Sequence, residues 1–260
     1  YDIARYSPLP VSSTIEKITM QICRRSLVKS LLLAAFLASP VSAQETLVEH
    51  DAIKPVPRDS RWMKRHESMN ERVKQGNVDL VFIGDSITQG WEGRGKNVWA
   101  KFYGDRNAVN LGIGGDRTQH VIWRLDNGNL EGISPKVAVI MIGTNNSGSN
   151  SPEQIAEGVT AIVRQLQQKT PDTEILLLGT FPRGADPSDK KRQVNEKSNE
   201  IVAKLAADDN VHYLDIGDKF LSDDGKLSKE IMPDLLHLSE QGYTIWAESI
   251  EPTVKKLMAK

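Results

Sequence analysis

Three side chains that lie far apart in the sequence are of the types that acyl transfer from an ester requires. Ser86 follows an apolar run that ends at Gly84, whereas Asp234 and His237 stand three residues apart near the other end of the chain. A serine hydroxyl attacks a carbonyl carbon when a histidine accepts its proton and a carboxylate orients that histidine. We therefore predict a catalytic triad of Ser86, His237 and Asp234, in which one turn brings the aspartate and the histidine to the same side.

Two further segments are suited to donate hydrogen bonds to the oxyanion that forms during acyl transfer. Asn110–Asp116 has three glycines in four positions, so its backbone can approach a substrate closely and present the Gly115 N–H group. Gly143–Asn146 follows another apolar run and brings an amide side chain. We predict an oxyanion hole made by the N–H groups of Ser86 and Gly115 and the side chain of Asn145.

These residues also have interpretations that involve other chemistry or none. Ser86 alone is most simply a turn serine, and Asn145 alone is equally well explained by closing a turn. The glycine segment fails the dinucleotide-binding pattern because Arg117 occupies its sixth position. Asp116 and His120 have the spacing of a metal-binding pair on a helix, but no third ligand is evident nearby. We therefore predict neither a metal nor a cofactor.

The elements that must position these residues alternate between strand and helix patterns. The predicted strands are Asp79–Ile83, Ala108–Leu111, Val137–Ile142, Glu174–Leu178 and Val211–Leu214, and the predicted helices are Arg61–Gln75, Thr118–Asp126, Pro152–Lys169, Lys190–Asp208 and Ser239–Leu257. Continuous apolar strands are typical of parallel sheets that are buried on both faces. We predict an α/β fold of three layers, α/β/α, around a five-stranded parallel flavodoxin-like sheet in the order 2-1-3-4-5. The loops after its first three strands then meet at one edge.

The amino-terminal segment has the pattern of an export signal. A basic stretch, Arg24–Lys29, precedes a short apolar stretch, Ser30–Ala38, and small residues at Val41–Ala43 suit a signal peptidase. We predict cleavage near Ala43, a start of translation at Met20, and a periplasmic or extracellular location. Because the apolar stretch is too short to span a bilayer, no stable membrane anchor is expected. The predicted organisation is an upstream segment with a signal peptide (1–43), an arm and helix (44–78) and a hydrolase domain (79–260).

Charge and cysteine content narrow the function classes. The chain has a net charge of −1, and loss of residues 1–43, with five basic and two acidic side chains, would leave −4. Such a balance does not suit nucleic-acid binding. The single cysteine, Cys23, lies in the predicted signal, so the exported domain would be held by its core without disulfides.

Four motifs in this order resemble the SGNH (GDSL) hydrolase family. They are Gly84-Asp-Ser-Ile87, Asn110–Asp116, Gly143–Asn146 and Asp234–His237, and the similarity runs from about Asp79 to Ile250. Within the family, Gly112–Leu125 and Leu178–Gly184 most resemble the catalytic subunits of platelet-activating factor acetylhydrolase of the Ib type. The family has leucine after the nucleophile, where this chain has Ile87.

The resemblance implies the same triad and oxyanion residues and a shallow acyl pocket that takes acetyl groups. The positions that match this substrate-binding pocket are Ile87, Thr144 and Leu236. We therefore expect a serine esterase that hydrolyses short-chain acetyl esters through an acyl-enzyme, acting on acetylated carbohydrate or similar small esters. Related subunits pair, which leaves a homodimer open.

Two other functions remain open at this point. The same triad would serve a lysophospholipase or thioesterase with a preference for longer acyl groups. The fold could also carry a non-catalytic carbohydrate-binding protein, although the presence of all the chemical positions together argues against this.

Overall fold

A parallel sheet of five strands forms the centre of the protein. The structure, a computed structural model, describes residues 50–260, which fall within one compact unit, Leu47–Lys260. The strands are β1 (Leu80–Gly84), β2 (Ala108–Gly112), β3 (Val137–Met141), β4 (Glu174–Leu178) and β5 (Val211–Leu214), in the spatial order β2-β1-β3-β4-β5. All four pairings are parallel. The predicted fold class and strand order are confirmed.

Within residues 50–260, seven α-helices accompany the sheet. They are α1 (Ser60–Lys74), α2 (Ser86–Gln89), α3 (Lys96–Tyr103), α4 (Thr118–Asp126), α5 (Pro152–Lys169), α6 (Lys190–Val202) and α7 (Glu240–Met258). Short 3₁₀ helices occur at Asp51–Ile53, Gly90–Glu92, Ala203–Ala207 and Gly217–Phe220.

Alternation of side chains along the strands divides the core into two layers. In β1, Val81 and Ile83 pack with α1, α4 and α5, whereas Leu80 and Phe82 pack with residues of α3 and α7 on the opposite face. Because the central strands β1 and β3 are buried on both faces, their sequences are apolar throughout rather than at alternate positions. The second layer is rich in aromatic rings, with Phe82 against Trp91, Trp99, Tyr103 and Trp246.

Most predicted elements are present within two residues of their predicted ends, and the differences have local causes. The predicted helix Lys190–Asp208 is α6 followed by a 3₁₀ segment, so it ends earlier than expected. Helices α2 and α3 were not predicted, because four and eight residues are too short for a clear helical period. Helix α5 begins at its predicted residue, where the hydroxyl of Ser151 caps it by accepting from Gln154 N.

The predicted export signal lies outside the described residues, and it stays a prediction. Within residues 50–260, none of the helices has both the length and the apolar character to cross a bilayer.

Candidate active site

The nucleophile candidate Ser86 lies in a tight turn between β1 and α2. A methyl group at Gly84 would lie 2.1 Å from Thr88 Oγ1 and 2.5 Å from the Met141 carbonyl oxygen, so only glycine fits at the end of this strand. Asp85 then caps α2, because its Oδ1 accepts a hydrogen bond from Ile87 N at 2.9 Å. The turn thereby places the Ser86 hydroxyl at the carboxyl edge of the sheet, where ligands of such folds bind.

Ser86, His237 and Asp234 form a continuous chain of hydrogen bonds. His237 Nε2 lies 2.9 Å from Ser86 Oγ, and His237 Nδ1 lies 2.7 Å from Asp234 Oδ2. With the proton on Nδ1 donated to the carboxylate, Nε2 is free to accept the serine proton. The structure thus brings together the three residues predicted as a triad.

An irregular turn before α7 holds the aspartate and the histidine together. Asp234 Oδ1 accepts from the backbone N–H groups of Leu236 and His237, at 3.2 and 2.7 Å. Leu235 between them has a φ of 59°, the left-handed region that non-glycine residues seldom adopt. Partial burial raises the pKa of Asp234, but the hydrogen bonds from the side chain and backbone of His237 outweigh this and lower the pKa overall. Asp234 is therefore held in the carboxylate form that a protonated imidazole needs.

The glycine loop after β2 lies beside Ser86. A side chain at Gly114 would lie 3.8 Å from Ser86 Cβ, and Gly115 has a φ of +75°, which favours glycine. Gly114 N donates to Gln89 Oε1 at 2.7 Å, whereas the Gly114 carbonyl accepts from Arg58 Nη1 at 2.8 Å. The N–H and the carbonyl group of Gly114 are therefore both hydrogen-bonded, which fixes the loop at this residue. The role of the Gly115 N–H as an oxyanion donor stays a prediction.

Asn145 lies after β3 and contacts both neighbouring loops. Its Nδ2 donates to the Asp116 carbonyl oxygen at 2.9 Å and lies 3.5 Å from Asp85 Oδ2. The second contact is too long for a strong hydrogen bond, so one N–H of this amide has only a weak partner. Asn146 is buried and accepts from Thr118 N at 3.1 Å, which gives it a structural role.

Comparison with known proteins places this site in a family. A model of the GDSL-like lipase/acylhydrolase family matches residues 82–245. Subunit alpha1 of platelet-activating factor acetylhydrolase IB from Homo sapiens is 39% identical over 220 residues, which cover 82% of this chain and 93% of that subunit. Subunit alpha2 from Rattus norvegicus is 38% identical over 211 residues, 80% of this chain and 89% of that subunit. The chain belongs to the GDSL-like lipase/acylhydrolase family.

Solved structures agree with this family in fold. A GDSL-like lipase from Bacteroides thetaiotaomicron has a TM-score of 0.58 at 19% identity, and the match covers 74% of this chain and 97% of that one. A carbohydrate acetylesterase from Sinorhizobium meliloti has a TM-score of 0.56 at 19% identity and covers 69% and 99%. The family match and the curated relatives identify this GDSL-like hydrolase as a carboxylic ester hydrolase, as predicted.

The side chains of the predicted triad line a cavity of about 260 Å³. It is lined by Ser86, Asp234 and His237 together with Gly90, Gly93, Arg94, Leu238 and Tyr243. The sequence interpretation missed the latter five residues, although the close spacing of Gly90, Gly93 and Gly95 signals a tight turn. Within residues 50–260, larger cavities lie along α1 and at the end of α4, and Ser86 does not line them.

None of the three residues predicted for the acyl pocket lines this cavity. In the sequence, Ile87 and Leu236 adjoin members of the predicted triad, whereas Thr144 adjoins Asn145. Ile87 and Thr144 are each only 1% exposed, and Leu236 is partly buried against the core. Thr144 Oγ1 accepts from Arg183 Nη1 and Asn195 Nδ2, at 3.1 and 3.2 Å. Their role in acyl binding stays a prediction. Trp91, which is 1% exposed, belongs to the core.

Two buried carboxylates support the loops of the GDSL-like hydrolase. Burial raises the pKa of Asp85 to about 7 and also raises the pKa of Asp116. Asp116 accepts from Arg124 Nε at 2.9 Å and from Trp62 Nε1 at 2.6 Å. Arg124 is fully buried and also donates to the Gly84 carbonyl oxygen at 3.3 Å. This ion pair ties the glycine loop to the end of β1.

The pair Asp116 and His120 has a structural explanation. His120 Nδ1 accepts a hydrogen bond from Arg117 N at 3.0 Å, so the imidazole caps α4. In the part of the chain that the structure describes, no group of three or more His, Cys, Asp or Glu side chains is arranged to hold a metal.

Proposed function

We propose that this GDSL-like hydrolase is a serine esterase that cleaves short-chain esters, above all acetyl esters, through an acyl-enzyme. The observation that carries the proposal is the hydrogen-bonded chain from Ser86 through His237 to Asp234, with distances of 2.9 and 2.7 Å. These are the distances at which a general base activates a serine nucleophile.

The reaction proceeds in two halves. In the first, Ser86 Oγ attacks the ester carbonyl while His237 Nε2 takes the hydroxyl proton. The oxyanion is held by the N–H groups of Ser86 and Gly115 and by the amide of Asn145. Collapse of this intermediate releases the alcohol, which takes the proton from His237, and leaves Ser86 acylated. In the second half, His237 deprotonates water, which attacks the acyl group and frees the acid and the serine.

The preference for acetyl groups is supported by the relatives and by the size of the site. The curated relatives that cover most of this chain are named acetylhydrolases. A cavity of about 260 Å³ that also holds the alcohol half leaves room for a short acyl group. We propose acetylated carbohydrate or a similar small ester as the substrate, since the sequence predicts export.

The proposal is tested with p-nitrophenyl esters of increasing chain length. We expect faster hydrolysis of the acetate than of the octanoate, and loss of at least about 10³-fold in kcat for Ser86→Ala, because this change removes the nucleophile. Ser68→Ala, at an exposed serine on α1, is the control and should match the wild type.

Any of three results contradicts the proposal. Retained turnover in Ser86→Ala rules out the serine mechanism. A profile that peaks at long acyl groups favours a lysophospholipase or thioesterase. Failure of an organophosphate to label Ser86 would favour a non-catalytic carbohydrate-binding protein.

A further inference from the structure

The active-site cavity contains one cationic side chain that the triad and the oxyanion hole do not use. Arg94 lines the same 260 Å³ space as Ser86 and His237. A guanidinium is charged at any physiological pH and presents a planar fork of donors that matches a carboxylate or a phosphate. Arg94 and the proposed nucleophile therefore face one common space, into which part of a bound ester can extend.

Arg94 has no counter-ion within residues 50–260. Among residues 50–260, its side chain makes no ion pair and no hydrogen bond. The nearest acidic residue in the sequence, Glu92, is engaged elsewhere, with Arg65 Nη1 and Nη2 at 3.0 and 2.8 Å. The carboxylate that shares the cavity, Asp234, is already bound to His237. The positive charge of Arg94 is therefore available to a ligand.

The turn that carries Arg94 is fixed in place. Gly93 N and Gly95 N both donate to the Gly90 carbonyl oxygen at 3.0 Å. A methyl group at Gly95 would lie 2.7 Å from the Trp91 ring and 2.8 Å from the Tyr243 ring, and one at Gly90 would lie 1.9 Å from the Tyr243 hydroxyl. The turn can pack this closely only because both positions are glycine.

The same tyrosine joins this turn to the nucleophile. Tyr243 is 1% exposed, and its hydroxyl donates to the carbonyl oxygen of Ile87, the residue after Ser86, at 2.7 Å. The backbone that bears Arg94 and the backbone that bears Ser86 therefore rest on one buried side chain. This fixes the base of the arginine relative to the hydroxyl that reacts.

From this arrangement we propose that Arg94 determines specificity for esters whose alcohol half carries an anionic group, a carboxylate or a phosphate. The inference rests on the proposed esterase function and adds the charge of the substrate to it. The acyl group lies towards the oxyanion donors, the leaving alcohol lies in the 260 Å³ cavity, and its anionic group pairs with the guanidinium of Arg94.

The test compares three acetyl esters with one acyl group and different alcohols: phenyl acetate, 3-acetoxybenzoate and 3-acetoxyphenyl phosphate. Each is assayed with the full chain and with Arg94→Gln, so that the intrinsic reactivity of each ester cancels. We expect kcat/KM for one or both anionic esters to fall about 10-fold or more, as for a lost hydrogen bond to a charged group. The kcat/KM for phenyl acetate should change less than about 2-fold. The anionic ester whose kcat/KM falls more shows whether Arg94 prefers a carboxylate or a phosphate.

Two further variants separate recognition from general electrostatics. Arg94→Lys keeps the charge but lacks the planar fork, so it should recover only part of the lost activity. Lys96→Gln removes the same charge two residues away, at an exposed position outside this cavity. It should leave unchanged the kcat/KM of each anionic ester relative to that of phenyl acetate. Added salt should weaken the preference of the wild type for the anionic esters over phenyl acetate, because it screens the charge of Arg94.

The outcomes distinguish the two proposals. If phenyl acetate is hydrolysed in a Ser86-dependent way but Arg94→Gln lowers all three esters equally or none, the role of Arg94 is wrong and the esterase function stands. An equal effect of Lys96→Gln would also overturn it. If the wild type hydrolyses none of the three, the esterase function fails and the inference fails with it.

Discussion

At the scale of single residues, the site depends on polar groups that are held by their neighbours before any substrate arrives. Asn145 is the clearest case, because its amide is bound to the Asp116 carbonyl on one side and lies near Asp85 on the other. A donor held in this way costs little reorganisation when an oxyanion forms.

We predict that Asn145→Ala lowers kcat for p-nitrophenyl acetate by about 10²–10³-fold, the typical cost of losing one oxyanion donor. KM should change little, since the donor acts mainly on the transition state. Steady-state kinetics measures both, with circular dichroism to verify folding. Asn127→Ala, at an exposed asparagine that donates to the Trp123 carbonyl, serves as the control. A kcat within 2-fold of wild type, by the same assay, would exclude Asn145 from the oxyanion hole.

The sequence allowed the residue types of the site to be predicted, but not all of its surroundings. Ser86, Asp234 and His237 stand in recognisable motifs, and the structure places them in contact. Arg94 belongs to no such motif. Its proposed role in specificity rests on the side chains that share its cavity, which the sequence does not show. Ile87 was predicted at the acyl pocket, yet it is buried in the core, since a short helix turns its side chain inwards.

At the scale of elements, the last helix supports the first loop of the site. Tyr243 in α7 reaches the Ile87 carbonyl of α2, a contact between residues 156 positions apart. A four-residue helix has no independent stability, so such contacts must hold α2 in place.

We predict that Tyr243→Phe lowers the free energy of unfolding by about 1–2 kcal/mol, because it removes a buried hydrogen bond. Tyr103→Phe is a matched control, since the Tyr103 hydroxyl is buried and has no hydrogen-bond partner within residues 50–260. That substitution should be neutral or slightly stabilising. Urea denaturation of both variants measures the difference, and equal effects would show that the Tyr243 hydroxyl contributes nothing beyond its ring.

The bounds of an element could be predicted where its apolar pattern repeats over a long segment, but not where that segment is short. Thr118–Asp126 and Pro152–Lys169 were predicted to the residue, because each has a full apolar face and a clear start or end. The turn Gly90–Gly95 was not, since its shape comes from glycines that pack against aromatic rings contributed by distant elements.

At the scale of the whole molecule, stability should depend on pH through buried ionisable groups. Burial, with the positive charges of Arg58, Arg117 and Arg124, lowers the pKa of His120 to about 4, against the opposing effect of Asp51. The unfolded chain therefore binds a proton at this histidine near pH 6.5, whereas the folded protein does so near pH 4. With respect to His120, the free energy of unfolding is therefore highest above pH 6.5, and it decreases as the pH falls to 4.

We predict that His120→Gln, which removes this group, becomes more stable relative to the wild type as the pH falls from 6.5 to 4. The relative gain should be roughly 2 kcal/mol, from the difference between the folded and unfolded pKa values. Chemical denaturation across this range measures it. Two parallel curves of unfolding free energy against pH would contradict the assignment.

Asp85 changes the stability of the fold with pH in the opposite direction to His120. Burial raises its pKa to about 7, so its contribution to stability is complete below pH 3.8 and is lost as the pH rises towards 7. Because the His120→Gln variant and the wild type both contain Asp85, its effect cancels when their unfolding free energies are compared at each pH.

The fold as a whole could be predicted because five apolar strands separated by helical patterns permit few arrangements. The strand order β2-β1-β3-β4-β5 follows from this pattern together with the resemblance to a known family. The export signal at residues 24–43 and the domain bounds at 43 and 78 stay predictions, as do a homodimer and the periplasmic or extracellular location.

The distance along the chain between Ser86 and His237, 151 residues, has a consequence for biosynthesis. In the proposed mechanism, the ribosome adds the nucleophile Ser86 long before it adds the base His237. A nascent polypeptide that stops short of His237 therefore lacks the proposed base, and we expect turnover only after the two segments have docked. Recovered ester hydrolysis is thus a direct reporter of complete refolding.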